Sequence, residues 1–513
     1  MVGYKQAFAM SPDEVRDATP PGTAILSEQG AEHGQMQELR LVPQPSSDPL
    51  DPLNWTTWRK LSVLICMSLY AGIGNFTSAS IASAFPLYAT PLAFNPPVSI
   101  GSLTHLIAVN VLMMGAANIW WVPLANIFGR RPIILGNILL LVLCSMWAGL
   151  AKTFASLLAA RIFMGVAGCY TVSIALGPII GGITGGYIAG NQGLAWIHWV
   201  NVILSAILLV ACFFLVPESL YKRERLVTSH AHAPDETPEN EKERKDKSSQ
   251  LIENVSPESI ESPHQLPSTF THYMRLYTYH GVSVQKFLAP WKTLRLPGVW
   301  LVMLWYAGLV GGVVTITTVG PTLVAQPPYL WGNNAGLIMV GGIFGAILGF
   351  VATNLSADRI VTTKKTLRDG QFVEPEARLP IAIPGLLLAT TGLWIFGFCA
   401  QNTGPPHMWV GMQFGLGMLC FGLVQAPSIG FNYIIDSYGP IAADCFVAVT
   451  CMRAIISFSW TFFAGEWVSS AGPAIPFGVF GALMGVFSLL IIPQWGWGKR
   501  TRIATAKWIP TQT

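Results

Sequence analysis

The sequence predicts an all-α protein that crosses a membrane many times, and three observations carry the prediction. Of 513 residues, 52% are hydrophobic and only 11% are charged, where a soluble chain carries about 25% charged residues. Apolar runs of about 20 residues recur along the chain, and a helix of that length crosses a hydrocarbon core of roughly 30 Å. Lys and Arg, finally, gather in alternate connections, the pattern of the positive-inside rule. That distribution says more than the formal charge of +4.

Taken in order, residues 1–57 are polar and Pro-containing, without the apolar segment of a secretory signal, and read as a disordered cytoplasmic tail. The tail ends in Trp55 and Trp58 beside Arg59 and Lys60, an aromatic and basic anchor for the first span. An N-terminal helical half follows over 58–216, with full-length spans at 61–82, 104–124, 133–151 and 198–216. Residues 217–296 form a predicted cytoplasmic linker, disordered at 228–268, where Glu, Lys, Ser, Pro and His mix without period. Near 284–295, Phe287, Trp291 and Leu294 recur at helical spacing beside Lys286, Lys292 and Arg295, which predicts an interfacial helix. The C-terminal half, 297–496, carries spans at 299–320, 335–356, 380–400, 408–430, 444–466 and 474–493, and a cytoplasmic tail covers 497–513.

The first half is abbreviated at 155–188. Two spans and a turn need about 45 residues, and this stretch supplies 34. One fused helix through Val166–Ile174 would reverse the parity of every later span and move its basic loops to the wrong side. A pair that enters and returns on the same side, turning near Gly168–Thr171, keeps each charge where the other loops put it, and is the arrangement the sequence predicts.

Several stretches resemble the major facilitator superfamily. Trp121–Pro132 matches its G-x-L-A-D-R-x-G-R-R loop between helices 2 and 3 at Leu124, Ala125, Gly129, Arg130 and Arg131, and departs from it at Val122, Asn126 and Ile127. Ala357-Asp358-Arg359 repeats the place of that loop in the second half. Arg161 to Gly165 resembles the R-x-x-x-G of helix 4, whose Arg is implicated in proton coupling. Gly177, Pro178, Gly181 and Gly182 fit the G-P-x-x-G-G of antiporter helix 5, with Ser173 where a Gly is usual. Pro217-Glu218-Ser219 resembles the end of helix 6. Asp51–Trp55 and Asp369–Leu379 look like segments of fungal proton-coupled multidrug and metabolite exporters, which normally have twelve spans. The resemblance implies two pseudo-symmetric six-helix halves, the first with truncated helices 4 and 5. It implies a monomeric, multi-pass plasma-membrane transporter with cytoplasmic termini, exporting small amphipathic compounds by proton antiport. Uptake of a small nutrient or polyamine, and a transport-inactive receptor or truncated product of the same fold, are the alternatives.

A cavity for amphipathic molecules needs apolar faces and a few directed polar groups. Asn75, Asn110, Gln413 and Gln425 are polar side chains on spans, and Trp305 and Tyr306 are aromatic ones, so each is a candidate for substrate contact or for helix–helix bonding. Arg161 and Arg453 are cations inside apolar runs, costly to keep there. The first reads as a coupling residue or as a group bonded to backbone carbonyls, the second as a partner for an anionic substrate group or a carboxylate. The eight cysteines sit in or beside apolar runs without metal-ligand spacing. With no nucleotide-binding loop and no nucleophile–base pair, neither an enzyme nor an ATP-driven pump is expected, and no metal, cofactor or nucleic acid is called for.

Overall fold

The computed structural model describes residues 4–18, 20, 51–91, 93–168, 176–220, 284–367, 374–403 and 407–508. Among them there are helices and no strands. Two short helices, α1 (Tyr4–Ala9) and α2 (Pro12–Asp17), occupy part of the stretch that polarity alone leaves unstructured. Ser11 and Glu14 form a reciprocal capping box at the start of α2. The bulk of the predicted linker and the predicted segment 369–373 lie outside the described residues.

The first half begins with α3 (Thr57–Ala79), which loosens into a 3₁₀ turn and the short α4 (Phe85–Tyr88). Helices α5 (Ile100–Ala116) and α6 (Asn118–Phe128) form one interrupted span. Gly129 then turns the chain with φ +100°, a conformation side chains rarely adopt, and α7 (Arg130–Leu150) starts at once. Next come α8 (Phe154–Ala167), α9 (Leu176–Gln192) and α10 (Leu194–Leu215). Helix α11 (Val284–Lys292) forms where the aromatic spacing predicts a helix.

The second half contains α12 (Pro297–Ala325), α13 (Val340–Leu367), α14 (Ile383–Gln401), α15 (Met408–Tyr438), α16 (Ala442–Ala471), α17 (Ala474–Leu489) and α18 (Ile491–Thr505). Nine helical segments among the described residues are long and apolar enough to cross a membrane, and one of them, Met408–Ala471, holds both α15 and α16. The ten full-length spans read from the sequence fall on these segments, with ends shifted by a few residues. Helix α12 is the most enclosed of these segments, buried along almost its whole length.

The abbreviated stretch forms two helices of opposite direction. Arg161 reaches Thr77 O at 2.6 Å and Tyr70 donates to Ala167 O, so α8 runs antiparallel to α3. Gly177, Gly181 and Gly185 face Gly72, Phe76 and Ser80 in that order, so α9 runs parallel to α3. The chain therefore doubles back between α8 and α9, and most of its predicted turn, 169–171, lies outside the described residues. With 14 and 17 residues, the two helices are about 21 and 26 Å long. Beside the start of α9, Leu64, Ile65 and Leu69 of α3 remain exposed and line an open groove with Leu176 and Leu204.

Small residues bring the halves together, as is usual where helices meet in lipid. At Gly115 a Cβ would lie 2.1 Å from Ala454 Cβ, and Cys451 donates to Gly115 O at 3.3 Å, which joins α5 to α16. Towards the other end of that seam, Gly465 backs onto Thr104. Tyr187 of α9 donates to Asn334 at 2.8 Å, and Gly186 approaches Asn333 O. At the Gly129 end, Lys286 of α11 reaches Asn126 O at 3.5 Å.

The Gly129 turn is held by Glu218, whose carboxylate accepts from the backbone N–H of Arg130 and Arg131, both at 3.1 Å. An anion at the start of α7 meets unpaired N–H groups and the positive end of the helix dipole. Arg131 also donates to Phe213 O at 2.7 Å, so the turn is tied to the end of α10. Glu218→Ala is expected to cost about 1–3 kcal/mol by stranding these donors. Thermal unfolding of the detergent-solubilised variant checks it, and an unchanged midpoint would contradict the role given to Glu218. The corresponding Asp358 and Arg359 fall near the end of α13, and their side chains lie outside the described residues.

A second cluster fastens the chain's end. Arg502 is fully buried, with Nε 2.7 Å from Glu376 Oε1 and Nη2 2.8 Å from Oε2, and it also pairs with Glu374. Lys499 meets Glu374 at 2.7 Å, and Arg500 donates to Phe8 O at 2.6 Å, which draws α1 onto α18.

Candidate functional site

A cavity lies where the halves meet. Helix α3 contributes Asn75 and Ser78, α5 contributes Ile107 and Val111, and α9 contributes Pro178. From the second half come Val310, Val313, Val314 and Thr317 of α12, Leu423 of α15 and Arg453 of α16. The cavity is narrow, with a volume of about 20 Å³. One or two waters fit such a space, so the cavity is collapsed. Its wall is apolar apart from Asn75, Ser78, Thr317 and Arg453, and no carboxylate stands among its described lining residues.

Arg453 is the exceptional member. The contact of Gly115 with the neighbouring Ala454 fixes α16 at this level. Arg453 is 2% exposed, lines the cavity, and has a buried Nε without a hydrogen-bond partner. Its guanidinium lies over the ring of Tyr306, 5.2 Å from the centroid. Tyr306 in turn meets Phe431 edge-on at 5.3 Å, an aromatic backing that fixes the ring.

Arg161 presents the opposite case. It is wholly buried, and its Nε, Nη1 and Nη2 donate to Leu106 O at 3.3 Å, Thr77 O at 2.6 Å and Ser78 O. Thr77 and Ser78 belong to the last turn of α3, where helix carbonyls lack intrahelical partners. The guanidinium thus caps the C-terminus of α3 and favours its dipole. Because Ser78 and Ala79 also face the cavity, Arg161 positions that wall without lining it. Asn110 donates to Arg161 O at 2.7 Å and belongs to the same assembly.

The other candidates are dispersed. Trp305 donates to Phe487 O at 2.9 Å inside the second half. Gln425 is buried against Gly385 between α14 and α15. Gln413 donates to Leu337 O at 3.2 Å and lines an outer groove between α13 and α15. Of the eight polar and aromatic candidates, the structure brings Asn75, Tyr306 and Arg453 to the cavity or its edge. Sequence reasoning passed over Ser78 and Thr317. For Thr317 the one signal was the density of hydroxyls on α12, where Thr315, Thr317, Thr318 and Thr322 crowd one span. Such hydroxyls commonly bond to their own helix, as Thr317 does to Val314 O.

The Gly-Pro stretch of α9 serves two neighbours at once. Gly177 and Gly181 back onto α3, while Gly182 faces Met339 in the second half, whose sulfur would lie 2.2 Å from an added Cβ. Among the described residues no group of His, Cys, Asp and Glu is arranged to hold a metal.

The chain can be set beside known proteins. A family model for the Major Facilitator Superfamily matches residues 166–443, just over half of it. An uncharacterized MFS-type transporter of Schizosaccharomyces pombe is 25% identical, the match covering 95% of this chain and 93% of that protein. Protein HOL1 of Saccharomyces cerevisiae is 23% identical, with 95% and 96% covered. Efflux pump FUBT of Fusarium oxysporum is 23% identical, with 81% and 68% covered. A crystal structure of a D-xylose-proton symporter shares the fold at a TM-score of 0.51 and 14% identity, covering 84% of this chain and 97% of that one.

Proposed function

The chain belongs to the Major Facilitator Superfamily, and from that premise we propose that it exports small amphipathic organic compounds across the plasma membrane in exchange for protons. The observation that carries this reading is the narrow cavity between two helical halves, apolar over most of its wall and polar at a few points. Such a cavity suits a ligand with an apolar body and one or two directed groups. A space this small admits no substrate until the halves move apart at one end. The seam between α5 and α16 supplies the axis for that movement, with contacts towards each end that open in turn. Asn75, Tyr306 and Arg453 are the proposed contact residues, and Arg161 is a positioning residue.

Export, rather than transport in the other direction, is supported by the naming of a relative as an efflux pump. In this reading the Gly129 turn, α11 and both termini face the cytoplasm, consistent with Arg130, Arg131, Lys286 and Lys292 standing at one end, and the monomer is the working unit. The described lining residues include no carboxylate, and in this reading the exchanged proton is carried by a group outside them.

The test is transport by inside-out vesicles holding the full-length protein. An acidic lumen is expected to drive a compound panel inward, and collapsing the pH gradient is expected to stop it. Accumulation of the same compounds by whole cells expressing the protein would overturn export.

A further inference from the structure

Two buried arginines, Arg161 and Arg453, stand at or behind the cavity wall, and only the first has hydrogen-bond acceptors. Arg161 spends its guanidinium on three backbone carbonyls at the end of α3 and beside it. Arg453 has no hydrogen-bond acceptor among the described residues, only the face of Tyr306 at 5.2 Å. Arginine cannot shed its charge by deprotonation. An uncompensated cation at membrane depth is among the costliest groups a chain can keep, and a single ring face offsets a small part of that cost.

The described lining residues include no anion, and a bound ligand can supply one. We infer that the transported compound is a carboxylate on a compact apolar body, its carboxylate seated against Arg453 and its body against Val310, Val313 and Val314. This deepens the transporter reading and rests on it. The guanidinium fork matches a carboxylate through two parallel N–H···O bonds. Tyr306, packed edge-on against Phe431, holds the plane of the fork. Asn75 and Thr317 stand on the cavity wall for a second polar atom of the ligand. A cationic ligand would place like charges together in a dry site, and a neutral one would leave Arg453 uncompensated in every state.

The experiment compares three probes of one shape, 1-naphthoate, 1-naphthamide and 1-naphthylmethylammonium, by calorimetric titration of the purified full-length protein in nanodiscs. Naphthoate is expected to bind at least tenfold tighter than the amide, with the ammonium weakest. Arg453→Gln is expected to remove that preference, and Arg453→Lys to retain part of it. Equal binding of the three, or preference for the ammonium, would overturn the inference. A second measurement bears on folding. Arg453→Met is expected to melt at or above the wild-type temperature, because no hydrogen bond is lost, and a melting point several degrees lower would overturn the inference by revealing a bonded Arg. The two readings fail separately. Arg453-dependent naphthoate binding without transport in vesicles defeats the transporter reading alone, while export of a neutral compound with no binding of naphthoate defeats the carboxylate alone.

Discussion

Arg502→Ala is expected to destabilise the protein by about 3–5 kcal/mol, the usual cost of removing one partner from a buried ion pair. Glu376, buried, would lose both its bonds to Arg502, and Glu374 would lose its pairing with Arg502. The loss should appear as a lowered unfolding temperature in detergent. Arg502→Met combined with Glu374→Gln and Glu376→Gln should recover most of it, because the stranded charges are then gone. A single variant that melts within a degree of the wild type would contradict the clamp. The cluster also sets a pH dependence. Burial raises the Glu374 carboxyl, but its bonds to Lys499 and Arg502 outweigh that and hold it below the ordinary carboxylate range. Its contribution is therefore present at neutral pH and lost as pH falls through the depressed folded value.

Gly185→Val is expected to be as damaging by a different route. A Cβ at Gly185 would lie 1.8 Å from Ser80 O and 2.8 Å from Ser80 C. Both are backbone atoms at the end of α3, so relief requires moving a helix instead of turning a side chain. Overpacking a core typically costs about 1–3 kcal/mol, and this site belongs at or above the top of that range. Loss of folded protein at the membrane, read by fluorescence-detected size exclusion, checks it. Gly136→Ala, where an added Cβ meets nothing within 4 Å, is the control and should be silent. Normal yield and melting of Gly185→Val would show that α9 does not pack on α3 at this distance.

The spans were legible because each helix turns an apolar face outward and an apolar or small-residue face inward, so composition alone marks it. The site was legible only in part. Arg161 and Arg453 look alike in sequence, each a cation within an apolar run, and what separates them is the end of α3 at Ala79. That end could not be read, because the apolar run continues past it through Ile81, Ala82 and Ala84. Glu374 and Glu376 drew attention through a motif, but Arg502, their partner, is separated from Glu376 by 126 positions, and no local pattern connects the two. The helix at Tyr4–Ala9 was missed for a related reason. Its contacts, Arg500 on Phe8 O and Trp508 near Tyr4, come from the far end of the chain.

The short pair α8 and α9 bears on how the chain is made. Helix α8, at 14 residues, is shorter than a membrane span and carries Arg161, and the 17 described residues of α9 stand at the lower limit of one. Both therefore gain from neighbours already in the membrane. Those neighbours are synthesised first, since α3 offers the carbonyls of Thr77 and Ser78 and the groove for Gly177, Gly181 and Gly185 before α8 leaves the ribosome. Gly182 finds Met339 only after more than 150 further residues have been translated. Chain order thus makes the partners of the pair on α3 available during synthesis, and those in the second half only afterwards.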